Sequence, residues 1–536
     1  MIFLLLSFLS LSEAGQSCSS CKVALTSYQV WVNSDKNTNR LTNFINYICS
    51  ETWAPNNCFP FLSSILPELN QAIQQRIMNP DRFCSLINAC DTPVYTKENF
   101  TAWEESIMQG ASEYFEPTTG ESYFNFVQLS DIHLDMKYVE GSSYTCLSPP
   151  CCRGSSSSTT SCGKWGNYNC DLPQGTLDNV VTFLAAQNLD FIIWTGDTAA
   201  HDISLSKDEK LNSIKSVTNL LWSKFNNIVP VYPIFGNEEC YLDHQYNFIG
   251  TNWLSSGVAT LWKSWIGQTA ATNLQNYGRY SLIHRNTNLK IVAINTLACD
   301  MNNFWLLSNA TDPGNNLEFL RSELSNAEAN NQYVYIIGHI PPASDTCMTL
   351  WSKHYQVLIR RYANIIRGQF FGHTHNDEFR ISRAQDGTPI GLQFFAPSLD
   401  PLYYHNPSFR IYTADYLSKS MINYKQYRMD LTDDTPSFYE AYEFKDYYLV
   451  NNMFPGTIEK LINGMKNQEM IMMKYLTNKF TASPATPVGC DEECLSDTYC
   501  EMAYDRPDTI RKCKGLLQSP VEMILEYAYG SWIYKS

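Results

Sequence analysis

The chain has 536 residues, enough for about two to four domains. Hydrophobic residues make up 44% and charged residues 17%, a globular composition that excludes a disordered or fibrous protein. Lys and Arg number 38 against 53 Asp and Glu, a net charge of −15, so there is no basic footprint for nucleic acid.

Met1 to Leu11 is an apolar run, too short for a bilayer, which needs about 20 residues. Ser12-Glu13-Ala14 follows with small residues placed for cleavage, so residues 1–14 read as a signal peptide, although the usual basic start is missing. No other segment is apolar enough to span a membrane, and the mature protein is expected to be secreted or lysosomal. Eighteen cysteines fit an oxidising compartment. The Cys18-x-x-Cys21 pair reads as disulfide chemistry rather than zinc, because no His follows at finger spacing. Asn99-Phe-Thr and Asn309-Ala-Thr are glycosylation sequons in such a setting.

Residues 17–92 form the first unit. Val23, Tyr28, Val30 and Trp31, then Leu41, Phe44, Ile45 and Ile48, then Phe61, Leu62, Ile65, Leu66, Leu69 and Ile73 recur at helical spacing. Six cysteines in the pattern CxxC, C-x8-C, C-x5-C would staple so small a bundle. The spacing resembles the saposin B-type domain, and the resemblance implies the pairs Cys18–Cys90, Cys21–Cys84 and Cys49–Cys58 and a lipid-binding role. Residues 93–122 read as a linker punctuated by Pro93, Pro117 and Gly120. From 123 to 430, strand-like runs (Phe124 to Leu129, Phe191 to Trp194, Val229 to Phe235, Lys290 to Ile294, Tyr333 to Ile337) alternate with helical stretches such as Gly175 to Gln187 and Leu317 to Glu328. That alternation predicts a layered α/β domain. Residues 431–536 read as a helical, disulfide-bonded region rich in Tyr and Met.

Five short motifs stand directly after strand-like runs, where α/β folds place their active-site loops. They are Asp131-Ile-His133, Gly196-Asp197, Gly236-Asn237-Glu238, Gly338-His339 and Gly372-His373-Thr-His375. Alternate residues of an extended segment point the same way, so Asp131 with His133 and His373 with His375 are expected to converge. The ligand arithmetic suits two metals: Asp131, His133 and His375 for one, Asn237, His339 and His373 for the other, Asp197 bridging. Two ions about 3.5–4 Å apart polarise a phosphoryl oxygen and make a water nucleophilic near neutral pH. Imidazole and carboxylate together suit zinc, so two Zn2+ ions are the expected cofactors, with iron or manganese as the other choices. Four of only nine histidines fall in these motifs.

This ordered set resembles the calcineurin-like metallophosphoesterase superfamily, whose β-sandwich flanked by helices is the fold it implies. Asp131-Ile-His-Leu-Asp, Gly196-Asp-Thr-Ala-Ala-His201-Asp202, Asn303-Phe-Trp-Leu-Leu-x-Asn-Ala-Thr-Asp-Pro313, Ile337-Gly-His-Ile-Pro-Pro342 and Gln369-Phe-Phe-Gly-His-Thr-His-x-Asp-Glu-Phe379 look like the acid sphingomyelinases. The resemblance covers nearly the whole mature chain. It implies the bridges Cys146–Cys151, Cys152–Cys170, Cys299–Cys347, Cys490–Cys494 and Cys500–Cys513, and leaves Cys162 and Cys240 over, with the sequence leaving open whether those two pair with each other. It also implies a monomeric zinc phosphodiesterase that splits sphingomyelin at a membrane surface, with no nucleic-acid partner.

One position departs from the family. Its members carry His after Gly-Asn, as proton donor to the leaving group, and here Glu238 stands there. His201 matches the family's second active-site His, so His201 and Glu238 are the catalytic candidates: either Glu238 gives the proton, or His201 carries the acid role alone with Glu238 orienting it, the second route being favoured because His201 matches the family motif. His244 matches no motif and reads as a surface-loop histidine. The rival readings are a relative acting on nucleotides or other soluble phosphoesters, against which the saposin-like unit speaks, and a lipid-binding relative of low activity, which rests on Glu238 alone.

Overall fold

The computed structural model describes residues 97–516, apart from 148, 155–159, 304 and 307–310. The signal peptide, the saposin-like unit and its three disulfides lie outside the described residues. Within the stretch read as a linker, Lys97–Met108 forms helix α1. Its interior lacks Gly and Pro, and Gly110, at φ +74°, turns the chain out of it. The chain divides into two compact units: Met1–Ile107 with Met301–Pro313 and Gln518–Ser536, and Met108–Asp300 with Gly314–Leu517. The second holds both sheets described below.

Strands β1 (Tyr123–Leu129), β2 (Phe191–Trp194) and β3 (Val231–Pro233) run parallel, separated by helices α2 (Gln174–Ala185) and α3 (Lys207–Phe225). Ser206 caps α3 with a reciprocal capping box to Glu209. After helix α4 (Trp253–Tyr277) come β4 (Tyr280–Ile283), β5 (Leu289–Ala293), helix α5 (Asn316–Ala329), β6 (Tyr333–Ile337), helix α6 (Thr349–Arg361) and β7 (Ile366–Phe371). Then β8 (Glu378–Arg383), β9 (Pro389–Phe395), β10 (Ser408–Asp415), β11 (Met421–Met429) and β12 (Phe438–Glu443) follow with no intervening helix. One sheet has the order β12-β11-β10-β1-β2-β3, the other β4-β5-β6-β7-β9-β8.

The sheets face each other across an aromatic core. Phe126 of β1 stacks on Tyr412 at 4.9 Å and meets Tyr335 and Phe370 of the opposite sheet at 5.5 Å, while Gln128 Nε2 donates to the Phe371 carbonyl at 2.9 Å. Fully burying each such ring stabilises the fold by roughly 1.5–3 kcal/mol. The result is an α/β layered protein, a two-sheet sandwich flanked by helices. It explains why β2 and β3 read as apolar runs: both are buried at every residue.

The sheet continues past residue 430, since β12 lies inside the stretch read as helical; its alternating pattern is masked by Tyr and Glu on an edge strand. Beyond it the chain is helical, through α7 (Phe444–Tyr448), α8 (Pro455–Met465), α9 (Glu469–Lys479), α10 (Glu492–Ala503) and α11 (Pro507–Cys513). Cys490–Cys494 and Cys500–Cys513 staple this end, and Cys146–Cys151 and Cys299–Cys347 also form. Cys162 and Cys240 do not pair with each other. Cys152 lies within bonding reach of both Cys162 and Cys170 in one buried cluster, and Cys240 is buried without a disulfide partner among the described residues.

Candidate metal centre

Every predicted motif lies at the C-terminal end of a parallel strand: 131–133 after β1, 196–197 after β2, 236–238 after β3, 338–339 after β6 and 372–375 after β7. Two glycines let these loops close on one another. A Cβ on Gly236 would collide with Asp197 and His339, and one on Gly372 with Ser130 and Asp131. Of the seven candidate ligands, Asp131, His133, Asp197, His373 and His375 adopt positive φ, between 41° and 71°. This is a conformation that costs about 1–3 kcal/mol per residue and clusters at functional sites.

The side chains form two groups sharing Asp197. On one side His133 Nε2 lies 3.2 Å from His375 Nε2 and 3.8 Å from Asp197 Oδ2, and His375 Nε2 lies 3.6 Å from Asp131 Oδ1. On the other, His339 Nε2 is 3.0 Å from Asp197 Oδ2 and 3.1 Å from Asn237 Oδ1, and His373 Nδ1 is 3.0 Å from the same amide oxygen. The outward nitrogens are fixed by other partners. His133 Nδ1 donates to the Ala199 carbonyl at 2.9 Å and His339 Nδ1 to the Thr195 carbonyl at 2.7 Å, while His373 Nε2 meets Thr346 Oγ1 at 3.0 Å. Such outer bonds aim the opposite lone pair inward, as metal-binding histidines require. Burial and the neighbouring His201 hold His133 well below the ordinary imidazole range, and burial with His133 does the same to His375, so both stay neutral. The donor set therefore fits divalent ions.

Glu239, which the motif reading left without a role, is the clamp between two of these loops. Buried, it accepts from the backbone N–H of Gly236 at 2.6 Å, of Asp197 at 3.0 Å and of Thr198. Glu238 Oε1 accepts from Asn237 Nδ2 at 3.0 Å, which turns the amide oxygen toward His339 and His373. Burial, then Asp243, pushes the Glu238 carboxyl up to about 8.

These residues floor an open cavity of about 380 Å³ whose lining includes Asp197, Asn237, His373, His375, His201 and Glu238. His201 stacks on His133 at 3.8 Å. Its Nδ1 meets Asp171 Oδ1 at 2.9 Å; burial opposes its protonation, but Asp171 outweighs burial and holds it well above the ordinary range. His244, read from sequence as a surface-loop residue, instead lines the same cavity, with 25% of its side chain exposed. Burial lowers it, but the Asp300 carboxylate, 2.7 Å from Nδ1, prevails and lifts it to about 9. Motif spacing gives no sign of Asp171 and Asp300, because their partners lie 30 and 56 residues away.

Residues 124–377 match the calcineurin-like phosphoesterase family. The chain carries a calcineurin-like phosphoesterase domain. It is 34% identical over 413 residues to a sphingomyelin phosphodiesterase of Bos taurus, a match covering 73% of this chain and 65% of that one. Sphingomyelin phosphodiesterase A of Dictyostelium discoideum is 26% identical over 537 residues, covering 93% and 91%. Cyclic GMP-AMP phosphodiesterase SMPDL3A of Homo sapiens is 29% identical over 402 residues, covering 70% and 86%. The phosphoesterase domain calls for divalent metal ions, and the convergent His and Asp groups are where this chain offers ligands. No described helix is long and apolar enough to cross a membrane.

Proposed function

We propose that the chain is a phosphodiesterase that binds two zinc ions and hydrolyses sphingomyelin to ceramide and phosphocholine, in a lysosome or outside the cell. The observation that supports this is the grouping of Asp131, His133 and His375 on one side of Asp197 and of Asn237, His339 and His373 on the other, beside a cavity that Asp197, Asn237, His373 and His375 line, in a chain similar along most of its length to sphingomyelin phosphodiesterases. Asp131, His133 and His375 would hold one ion, Asn237, His339 and His373 the other, and Asp197 both. When bound, the ions polarise the phosphoryl oxygens and make a water nucleophilic near neutral pH.

His201, oriented by Asp171, faces the reacting phosphoryl group from the cavity wall and stabilises the charge that develops on it. Glu238 acts through Asn237, fixing the direction of its amide oxygen. The cysteine spacing of residues 17–92 supports a saposin-like unit that presents lipid from a membrane surface.

The test is phosphocholine release from sphingomyelin vesicles beside hydrolysis of nucleotides, from acid to mildly alkaline pH, with metal analysis of the same protein. Preference for sphingomyelin supports the reading, and turnover of nucleotides alone replaces it with a soluble-phosphoester enzyme.

A further inference from the structure

The family's proton-donating His is Glu238 in this chain, yet a histidine still reaches the cavity wall beside that position. His244 belongs to the loop after β3. Lys210 of α3, 1% exposed, anchors this loop by donating to the Glu238 carbonyl and to the Asp243 carboxylate. His244 itself holds φ +68°, a left-handed backbone that few non-glycine residues adopt and that turns its ring toward the cavity.

The two ring nitrogens face different surroundings. Nδ1 donates to Oδ2 of Asp300 at 2.7 Å, and Asp300 is fully buried next to Cys299, which is bridged to Cys347. Nε2 points the other way, 3.9 Å from Glu238 Oε1, in the cavity that Asp197, Asn237 and His201 also line. An imidazole held by a buried carboxylate through one nitrogen, with the other facing a reaction site, is the arrangement of a histidine that moves protons. A surface-loop histidine has no need of a buried carboxylate partner, whose desolvation is costly.

We propose that His244 is the proton donor to the leaving-group oxygen, with Asp300 as its positioning residue. The inference rests on the phosphodiesterase reading. As the bond from phosphorus to the attacking water oxygen forms and the bond to the leaving oxygen breaks, the Nε2 proton passes to that oxygen. The proton shed by the water returns to His244, so the cycle closes without any further reactant. The role frees Glu238 to orient Asn237 and explains how the family's His can be absent.

The experiment compares leaving groups. Wild type, His244→Gln and Asp300→Asn are assayed on choline aryl phosphodiesters running from p-nitrophenol, which leaves without a proton, to unsubstituted phenol, and on sphingomyelin vesicles. His244→Gln should lose about 10²–10⁴-fold in kcat on the phenyl ester and on sphingomyelin while losing less than about 3-fold on the nitrophenyl ester. Asp300→Asn should show the same pattern with a smaller loss. The ratio between two substrates within one variant is independent of the fraction of that variant correctly folded, so a destabilised preparation still gives an answer. An equal loss across the whole series, or no loss on the phenyl ester, overturns the proposal. A wild-type protein that cleaves the aryl esters but not sphingomyelin overturns the substrate reading and leaves the His244 test standing. One inert on all of them overturns both.

Discussion

Asp171 grips His201 twice: one carboxylate oxygen lies 2.9 Å from the ring Nδ1 and the other accepts the His201 backbone N–H at 2.7 Å. This bidentate hold fixes both the ring and the chain that carries it, immediately beside His133. Asp171→Asn keeps the shape but replaces one acceptor oxygen with a donor. It should lower kcat by about 10–100-fold, the scale at which outer supporting residues usually act, with metal content unchanged. Steady-state kinetics beside metal analysis checks this. A parallel loss of metal would make Asp171 a scaffold for the centre rather than a partner of His201.

Glu238 supplies a second, separable test. Its Oε1 takes the Asn237 amide hydrogen and so aims Oδ1 at His339 and His373. Glu238→Ala should weaken binding at the Asn237 side by about 10–100-fold, leaving one ion held more tightly than the other. Glu238→Gln keeps an acceptor oxygen and should stay close to wild type. Competition with a chelator followed by metal counting distinguishes the two. Equal retention of both ions in Glu238→Ala contradicts the orienting role.

Much of this centre is legible in the sequence, because parallel strands deliver their loops to one edge and each loop here starts with a strand-like run. The local geometry is another matter. Alternation along an extended segment predicts that Asp131 and His133 share a direction, and they do meet, but through left-handed backbone at both residues, which no alternation pattern encodes. His373 and His375 part, each to a different group, for the same reason. Glu239, Asp171 and Asp300 are invisible to motif spacing because the groups they hold come from other loops. The helix α1 in the stretch read as a linker and the edge strand β12 were obscured by polar residues on exposed faces.

Stability should fall on acidification for a reason outside the centre. Burial, reinforced at His284 by Arg285, holds His284 and His354 at about 4, below the ordinary 6.5. Between those values the unfolded chain takes up protons at these two histidines that the folded chain refuses, so their contribution to stability declines as pH falls from about 6.5 toward 4 and is level above that window. Each histidine contributes on the order of 1–3 kcal/mol to the decline. His354→Gln should flatten the profile of thermal midpoint against pH relative to wild type. An unchanged slope would mean that other groups set it.

The most direct measurement of the central claim is phosphocholine release from sphingomyelin vesicles by wild type and Asp197→Asn, with zinc counted in each preparation. Asp197 is the one residue shared by both ligand groups, so replacing its carboxylate weakens both at once. Wild type should turn over with two zinc ions per chain, and Asp197→Asn should lose both turnover and zinc. Near-normal turnover by Asp197→Asn with full zinc occupancy would contradict that claim.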